Sequence, residues 1–331
     1  MNGQLANVAI LGEKPLVTFA LFAYNQEKYI REAVEGALTQ TYSPLQIILS
    51  DDCSYDNTFE MMKKMVSEYS GPHEVLLNRN IHNMGLAGHI NHVTSLAKGE
   101  LVVVAAGDDI SYPERTSTLY EFFTKMNYPA VVFSDLEEID NDGSPWVGEQ
   151  VGQSEQTLSE FILRPSIRGA TCAYDKRIFT QFLELNSDVT AEDRALPVRA
   201  YLLGRPPKII NRKLIKYRRD AQRVRGPSNA AMKFFWQIWP QYSSAKQNQK
   251  DVNYIDEIDI YSSRVIQLNF NYHQAKIDVI KTKSIVGLTK QSLHWLRMFG
   301  VKQLVKLLII RYGKLGQRES ALLIQNIPQV S

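Results

Sequence analysis

The sequence contains few cysteines and no long apolar run, and these two features limit the classes of protein to which it can belong. Only Cys53 and Cys172 occur among 331 residues, too few for the disulfide framework of a small secreted protein. No window has about 18 consecutive apolar residues, so we predict no membrane-spanning helix. Residues 1–13 lack the basic start and apolar stretch of a signal peptide. We therefore predict a reducing, cytoplasmic setting.

A glycine-rich phosphate loop is also missing. The segment after the first predicted strand reads Ala-Tyr-Asn-Gln-Glu at 23–27 and contains no glycine. Dinucleotide oxidoreductases place a G-x-G-x-x-G loop at this point, where its backbone contacts the pyrophosphate. Its absence disfavours an oxidoreductase, and the lack of any glycine-rich loop also disfavours a nucleotidyltransferase that makes sugar nucleotides.

Acidic residues are absent from one long stretch near the end of the chain. Residues 279–318 carry nine Lys or Arg and no Asp or Glu, although the net charge of the whole chain is only +3. Trp295 and Phe299 lie among these basic residues, which is typical of a helix on an anionic membrane surface. A packing or oligomerisation helix with lysines along its edges explains the pattern equally well. The sequence does not separate these two interpretations.

Short apolar runs alternate with amphipathic segments over the first 140 residues. This alternation predicts βαβ units and a mostly parallel sheet that is flanked by helices. From about residue 230 the pattern indicates mainly helices. The predicted strands are 16–23, 45–49, 74–77, 101–106 and 130–133, and the predicted helices are 27–39, 58–69 and 86–98.

Pairs of carboxylates follow two of the predicted strands. Asp51-Asp52 follows 45–49, and Asp108-Asp109 follows 101–106. Ligands of such sheets bind at the carboxyl ends of the strands, and adjacent carboxylates suit Mn²⁺ or Mg²⁺ when phosphates supply the other oxygens. Asp at a strand end also forms turns and helix caps, so each pair taken alone has a structural interpretation.

Three motifs together resemble family 2 glycosyltransferases. They are T-F-A-L-F-A-Y-N-Q-E at 18–27, S-D-D-C-S-Y-D-N-T at 50–58, and N-M-G-L-A-G-H-I-N at 83–91, which is followed by G-D-D at 107–109. The resemblance covers roughly residues 15 to 220. It implies the α/β fold called GT-A with a helical C-terminal extension. It also implies inverting transfer of a sugar from a nucleotide diphosphate donor, such as a UDP-sugar, to an acceptor hydroxyl.

The resemblance also assigns roles at the strand ends. Asp52 matches the residue that contacts the nucleobase, and Ala23 and Tyr24 match the backbone segment beside that base. Asp108 is expected to face the ribose or donor sugar. Asp109 is expected to be the direct ligand of the Mn²⁺ or Mg²⁺ ion on the diphosphate, where a cation stabilises the leaving group.

Glu192-Asp193 resembles the Glu-Asp motif of the family, which implies that Asp193 is the general base for the acceptor hydroxyl. Acids also favour the first turn of a helix through its dipole, which gives a purely structural alternative. If that helix begins near Thr190, Pro197 falls just beyond its first turn, where it would distort the placement of the base.

Three arginines complete the set of candidate contacts. Arg168 lies where the family contacts donor or acceptor sugar, and Arg218 and Arg219 match a segment that closes over the donor phosphates. A solvated basic loop is the alternative for the last two.

The predicted organisation is a lead at 1–14, a catalytic domain at 15–225 and a helical extension at 226–331. The expected partners are a nucleotide-sugar donor and a lipid-linked or oligosaccharide acceptor of bacterial surface polysaccharide synthesis, without nucleic acid. Oligomerisation stays open, and lipid binding through 279–318 would bring the protein to the inner face of the cytoplasmic membrane. A processive membrane synthase is not expected, because the family's Q-x-x-R-W motif is absent. A sugar-nucleotide-binding or scaffold protein without turnover is the non-enzymatic alternative.

Overall fold

The computed structural model describes residues 14–148, 152–219, 230–255 and 260–281. Nearly all of the basic stretch 279–318 lies outside these residues, so both interpretations of it stay predictions. Among the described residues, no helix combines the length and the apolar character needed to cross a membrane.

The described residues form eight strands in a single sheet. Their bounds are β1 Val17–Ala23, β2 Leu45–Asp51, β3 Glu74–Arg79, β4 Leu101–Ala106, β5 Ile110–Ser111, β6 Val131–Ile139, β7 Cys172–Asp175 and β8 Lys208–Arg218. The order across the sheet is β3-β2-β1-β4-β7-β6-β8-β5.

The α-helices of the described residues are α1 Ile30–Leu38, α2 Thr58–Ser67, α3 Gly85–Leu96, α4 Arg115–Lys125, α5 Leu158–Leu163, α6 Arg177–Thr180, α7 Leu196–Leu202, α8 Ala230–Val252 and α9 Ile260–Lys281. Two short 3-10 helices, Gly169–Thr171 and Glu192–Arg194, precede β7 and α7.

The first four long strands of the sheet, β1 to β4, are parallel. The pairs β1–β2, β2–β3 and β1–β4 are parallel, because each connection returns the chain to the same end of the sheet through a helix. The short strand β7 pairs antiparallel with both β4 and β6, whereas β6 and β8 are parallel. The predicted α/β sheet with flanking helices is confirmed, and antiparallel pairs occur in its second half.

Helices cover both faces of the sheet. On β1, Phe19 and Leu21 pack with residues of α1, α2 and α4, while Ala20 packs with residues of α3 on the opposite face. All three side chains are fully buried. Burial on both faces explains why this strand is a continuous apolar run in the sequence.

The helix predicted to begin near Thr190 begins later. The 3-10 helix Glu192–Arg194 comes first, and α7 then starts at Leu196 with Pro197 as its second residue. The first N–H groups of a helix have no intrahelical partner, so proline is tolerated there. The expectation that Pro197 lies beyond the first turn of this helix was therefore wrong.

A buried ion pair joins α7 to α8. The Arg199 guanidinium lies 2.8 Å from the Asp251 carboxylate, and both side chains are almost fully buried. Arg199 also donates to the carbonyl oxygens of Ile178 and Leu183. The pair therefore holds a helix of the predicted C-terminal extension against the predicted catalytic domain.

We predict that Arg199→Met destabilises the protein by about 3 to 5 kcal/mol, because it leaves the charge of Asp251 buried without a partner. The double variant Arg199→Met/Asp251→Leu should recover much of this loss. Urea unfolding followed by circular dichroism measures both.

The matched control is Arg212→Met, which removes an arginine that is 55% exposed and pairs with Glu114, itself 47% exposed, and it should cost at most about 1 kcal/mol. Equal destabilisation by Arg199→Met and Arg212→Met would contradict the role of the buried pair.

Candidate active site

Parallel register brings the acidic segments to one edge of the sheet. Ala23 pairs with Asp51, and Phe22 pairs with Ala106. Just beyond the strands, the Asp52 N–H donates to the Ala23 carbonyl oxygen at 2.9 Å, and Gly107 N–H donates to Phe22 at 2.9 Å. The residues after β1, β2 and β4 therefore meet at the same rim, as the strand-end prediction requires.

Asp52 is held by donors from the loop before α3. Its Oδ1 accepts a hydrogen bond from the Asn80 side chain at 2.7 Å and from the Met84 N–H at 2.9 Å, and the residue is 3% exposed. Cys53, which follows, has a φ of 61°, a conformation that favours glycine. The carboxylate of Asp52 is thus fixed in position.

Two tyrosines lie at the rim beside Asp52. Tyr24 is 43% exposed and Tyr55 is 86% exposed, and their rings meet edge to face with centroids 6.4 Å apart. Asn25, between the strand end and α1, has a φ of 52° and accepts the Tyr55 N–H with its side chain. The rim therefore presents exposed aromatic surface next to a fixed carboxylate.

A cavity of about 580 Å³ opens beside this rim. Its lining combines residues that lie more than 80 positions apart in the sequence. Seven of the ten candidate site residues line it: Asp108, Asp109, Arg168, Glu192, Asp193, Arg218 and Arg219. The other three, Ala23, Tyr24 and Asp52, lie at the neighbouring strand ends and outside this lining.

The two acids that follow β4 differ in exposure. Asp109 is buried, and its Oδ1 accepts the Arg218 N–H at 2.8 Å. Burial, together with the negative charge of Asp108, raises the pKa of Asp109 well above its ordinary value. Asp108 is only partly buried. Of this pair, Asp108 is the more accessible from the cavity.

The 3-10 helix Glu192–Arg194 presents its acids to the same cavity. Burial raises the pKa of Glu192 to about 8, and the charge of Asp193 adds to this effect. Burial also raises the pKa of Asp193, although Arg194 and Arg168 act in the opposite direction. A Cβ at Gly169 would come within 2.0 Å of the Glu192 carboxylate, so only glycine permits this close approach.

The guanidinium of Arg218 already forms hydrogen bonds with other residues of the protein. Its guanidinium donates to the carbonyl oxygens of Asp108 and Asp140, each at 2.9 Å, and to the Glu32 carboxylate at 2.7 Å. Arg219 pairs with Glu138 at 3.1 Å. The predicted phosphate contacts of Arg218 and Arg219 stay predictions, and for Arg218 they compete with these internal bonds.

Residues 18–183 match the family model described as Glycosyl transferase family 2. The chain belongs to this family. Among curated relatives, the putative glycosyltransferase EpsE of Bacillus subtilis is 32% identical over 129 residues, which is 39% of this chain. The chain spans 46% of the length of EpsE.

Solved structures resemble this family 2 chain over most of its length. S. aureus TarS 1–349 in complex with UDP-GlcNAc aligns with a TM-score of 0.58 at 15% identity, covering 93% of this chain and 90% of that one. The mannosyltransferase PcManGT of Pyrobaculum calidifontis, in complex with GDP-Man and Mn²⁺, aligns with a TM-score of 0.51 at 13% identity, covering 95% and 88%. These likenesses confirm the predicted GT-A fold.

Two further residues of this family 2 chain line the cavity without having been predicted. Glu138 is buried, and its Oε2 has no hydrogen-bond partner among the described residues, while Oε1 accepts from Arg219. Tyr217 lies in the basic segment, and burial raises its pKa to about 12, with the charge of Asp109 contributing. Glu138 follows another glutamate in a strand, so nothing in the local sequence marks it.

The raised pKa of Glu192 predicts a pH dependence of stability. The carboxyl ionises near its ordinary value of 4.5 when unfolded but near 8 when folded. The folded state therefore holds an extra proton between these values, so stability falls as pH rises from about 5 to 8. Glu192→Gln should remove up to about 1.4 kcal/mol per pH unit of this slope.

Urea unfolding at a series of pH values measures the slope. Glu68→Gln, which changes a well-exposed glutamate, is the control and should leave the slope as in the wild type. If Glu192→Gln and Glu68→Gln give the same slope, Glu192 does not titrate as the cavity geometry indicates.

Proposed function

We propose that this protein transfers a sugar from a nucleotide diphosphate donor to an acceptor hydroxyl, with inversion. One observation carries the proposal: in a family 2 chain, Asp108-Asp109 and Glu192-Asp193 line a single cavity at the carboxyl end of the sheet. Convergence of acids from distant segments is expected of a site that must both bind a diphosphate and accept a proton.

The nucleotide is assigned to the rim formed by Ala23, Tyr24 and Asp52. A carboxylate held by two donors can accept hydrogen bonds from a base or ribose without moving, and the exposed ring of Tyr24 offers a surface for stacking. TarS has been solved with UDP-GlcNAc and with UDP. This supports a UDP-sugar as the donor.

The cavity fits a divalent cation that is bound together with the donor. The described residues contain no group of three or more potential ligands among His, Cys, Asp and Glu, so phosphate and water oxygens would complete the coordination. Asp108 and Asp109 supply hard oxygen ligands, and Glu138 adds a buried Oε2 that has no hydrogen-bond partner within the described part of the chain. PcManGT has been solved with Mn²⁺, which supports Mn²⁺ or Mg²⁺.

Exposure favours Asp108 over Asp109 as the direct ligand, which reverses the assignment that the resemblance implies. The Asp109 carboxylate already accepts the Arg218 N–H and is buried, whereas Asp108 is partly open to the cavity. The cation would neutralise charge on the leaving diphosphate. Asp109 would then position the end of β8 beside Asp108.

Asp193 is proposed as the general base. Burial makes its carboxylate a better proton acceptor than an exposed one. Glu192, with a pKa of about 8, is mostly protonated near neutral pH, which removes a like charge from beside Asp193. Arg168 lies on the same cavity wall and favours the ionised form of Asp193.

The finer assignments extend the proposal. We propose a lipid-linked or oligosaccharide acceptor of surface polysaccharide synthesis, and a cytoplasmic site of action. A catalytic domain at 15–225 and a helical extension at 226–331 are also proposed. The buried Arg199–Asp251 pair crosses this boundary, which supports an extension that is packed on the catalytic domain.

Asp193→Asn should reduce sugar transfer by at least about 100-fold, because the acceptor hydroxyl loses its base. Binding of UDP, measured as a rise in melting temperature, should persist. Release of UDP from a panel of UDP-sugars and acceptors is the activity measurement.

The control is Asp142→Asn, which changes an exposed acid in the turn after β6 and should leave transfer at the wild-type rate. Full transfer by Asp193→Asn would contradict the assigned base. Tight UDP-sugar binding by the wild type without any turnover would favour a sugar-nucleotide-binding protein.

Chelation with EDTA should abolish transfer, and added Mn²⁺ should restore it. Asp108→Asn should raise the Mn²⁺ concentration for half-maximal activity by about tenfold or more, because a neutral amide is a poorer ligand for a hard cation. Asp109→Asn should have a smaller effect on this concentration. A shift with Asp109→Asn and none with Asp108→Asn would return the ligand role to Asp109.

A further inference from the structure

A second, smaller cavity lies on the other side of the 3-10 helix Glu192–Arg194. Its volume is about 180 Å³, and its walls come from the end of α5, from α8 and from α9. The polar lining includes Arg194, Gln241, Ser244, Asn248 and Asn269. Among the residues that the structure describes, no acidic side chain lines it. The cavity is therefore a polar site that carries positive charge.

Arg194 supplies this charge and has no partner for it. Its guanidinium forms no ion pair or side-chain hydrogen bond with any residue that the structure describes, in contrast to Arg199 and Arg218, which are fully engaged. Burial opposes the charge, while Asp193 favours it without forming an ion pair. An arginine remains protonated in a protein, so an anion in the cavity would stabilise this group.

Asn248 lines the same cavity and contains an unsatisfied acceptor. It is 4% exposed, and its Nδ2 donates to the Arg194 carbonyl oxygen at 3.3 Å. Its Oδ1 is buried and has no hydrogen-bond partner among the residues that the structure describes. A buried acceptor without a donor costs free energy, and a hydroxyl group would satisfy it. Ser244, one turn earlier, donates to the Ala191 carbonyl oxygen at 3.0 Å.

These two groups define the chemistry of a ligand. A free guanidinium recognises a phosphate or carboxylate, and the free amide oxygen of Asn248 recognises a hydroxyl. The volume of about 180 Å³ is below the roughly 300 Å³ at which pockets for whole drug-sized ligands begin. The cavity thus suits one anionic group with its adjacent carbon and hydroxyl, and not a complete oligosaccharide.

Position links this cavity to the proposed base. Arg194 directly follows Asp193, so their Cα atoms are about 3.8 Å apart, and the two side chains line different cavities on the two sides of the 3-10 helix. A molecule whose anionic end is held at Arg194 and whose adjacent hydroxyl is held at Asn248 would have to extend around that 3-10 helix to bring another hydroxyl to Asp193.

We propose that this cavity binds an anionic group of the acceptor, so that the acceptor is a hydroxylated molecule bearing a phosphate or a carboxylate. The inference rests on the proposed function and extends it to the acceptor. It also assigns the C-terminal helices α8 and α9 a direct part in acceptor binding, because they contribute most of the polar lining.

The test uses the full chain in the presence of saturating UDP and Mg²⁺, which is diamagnetic and leaves the NMR signals of the probes sharp, so that the larger cavity does not capture the probes. The probes are glucose, glucose 6-phosphate, glucuronate and inorganic phosphate, and their affinities are measured by ligand-detected NMR. The wild type should bind glucose 6-phosphate or glucuronate at least about tenfold more tightly than glucose. The stronger of the two identifies the anion.

Arg194→Gln should abolish this preference, and Arg194→Lys should retain part of it. Asn248→Asp places a negative charge beside Arg194 and should also abolish it, which provides a second variant if Arg194→Gln folds poorly. The matched control is Arg212→Gln, an exposed arginine on β8 that pairs with Glu114, and it should keep the full preference.

Equal binding of glucose and the two anionic sugars by the wild type would overturn the proposal, as would an anion preference that survives both Arg194→Gln and Asn248→Asp. Binding of inorganic phosphate alone, with no gain from the sugar, would overturn the hydroxyl contact at Asn248. Binding of UDP by the wild type is measured separately. If the wild type does not bind UDP, the proposed transferase function is contradicted. If it binds UDP, the results with the sugar probes decide the proposal about the acceptor.

Discussion

The buried guanidinium of Arg218 is the contact on which the geometry of the larger cavity depends. It joins the loop after β4 to the loop after β6 and to α1 by hydrogen bonds, and it lies 4.5 Å from the Tyr29 ring centroid. The backbone N–H of the same residue holds the Asp109 carboxylate. A residue at the end of the last strand thus fixes acids that follow a strand 110 positions earlier. Removing this guanidinium would leave the carbonyl oxygens of Asp108 and Asp140 without these hydrogen bonds.

Three carboxylates that line the larger cavity are less stable in the ionised form than they would be in water. Burial raises the pKa of Asp109, Glu192 and Asp193, which means that the fold is destabilised when all three ionise. Arg168 and Arg194 offset part of this cost at Asp193. Groups with raised pKa values in a cavity are typical of functional sites. A cluster of this kind is hard to explain as a device for stability alone.

The helices α8 and α9 pack against the rest of the described structure and also line the smaller cavity. The Arg199–Asp251 pair holds α8 against α7, and Val252 and Ile266 join the apolar core on that face. Ser244 and Asn248 of α8 also donate hydrogen bonds to backbone carbonyl oxygens in and next to the 3-10 helix that carries Asp193. The position of the proposed base and the lining of the smaller cavity are therefore set by the same helix. Any change in how α8 packs would affect both cavities together.

Local patterns in the sequence determined the α/β fold, the acids at the ends of β2 and β4, and the Glu192-Asp193 pair, because strand and helix periodicity and strand-end chemistry are short-range properties. Helix starts were less predictable, as Pro197 illustrates. Only the tertiary structure decided that Asp108 is more open than Asp109 and that Arg218 is used inside the protein. It also decided that Oε2 of Glu138 has no hydrogen-bond partner, and that Arg194 lines a cavity without an ion pair, among the described residues. These features depend on side-chain directions and on contacts between segments far apart in the chain, which no local pattern encodes.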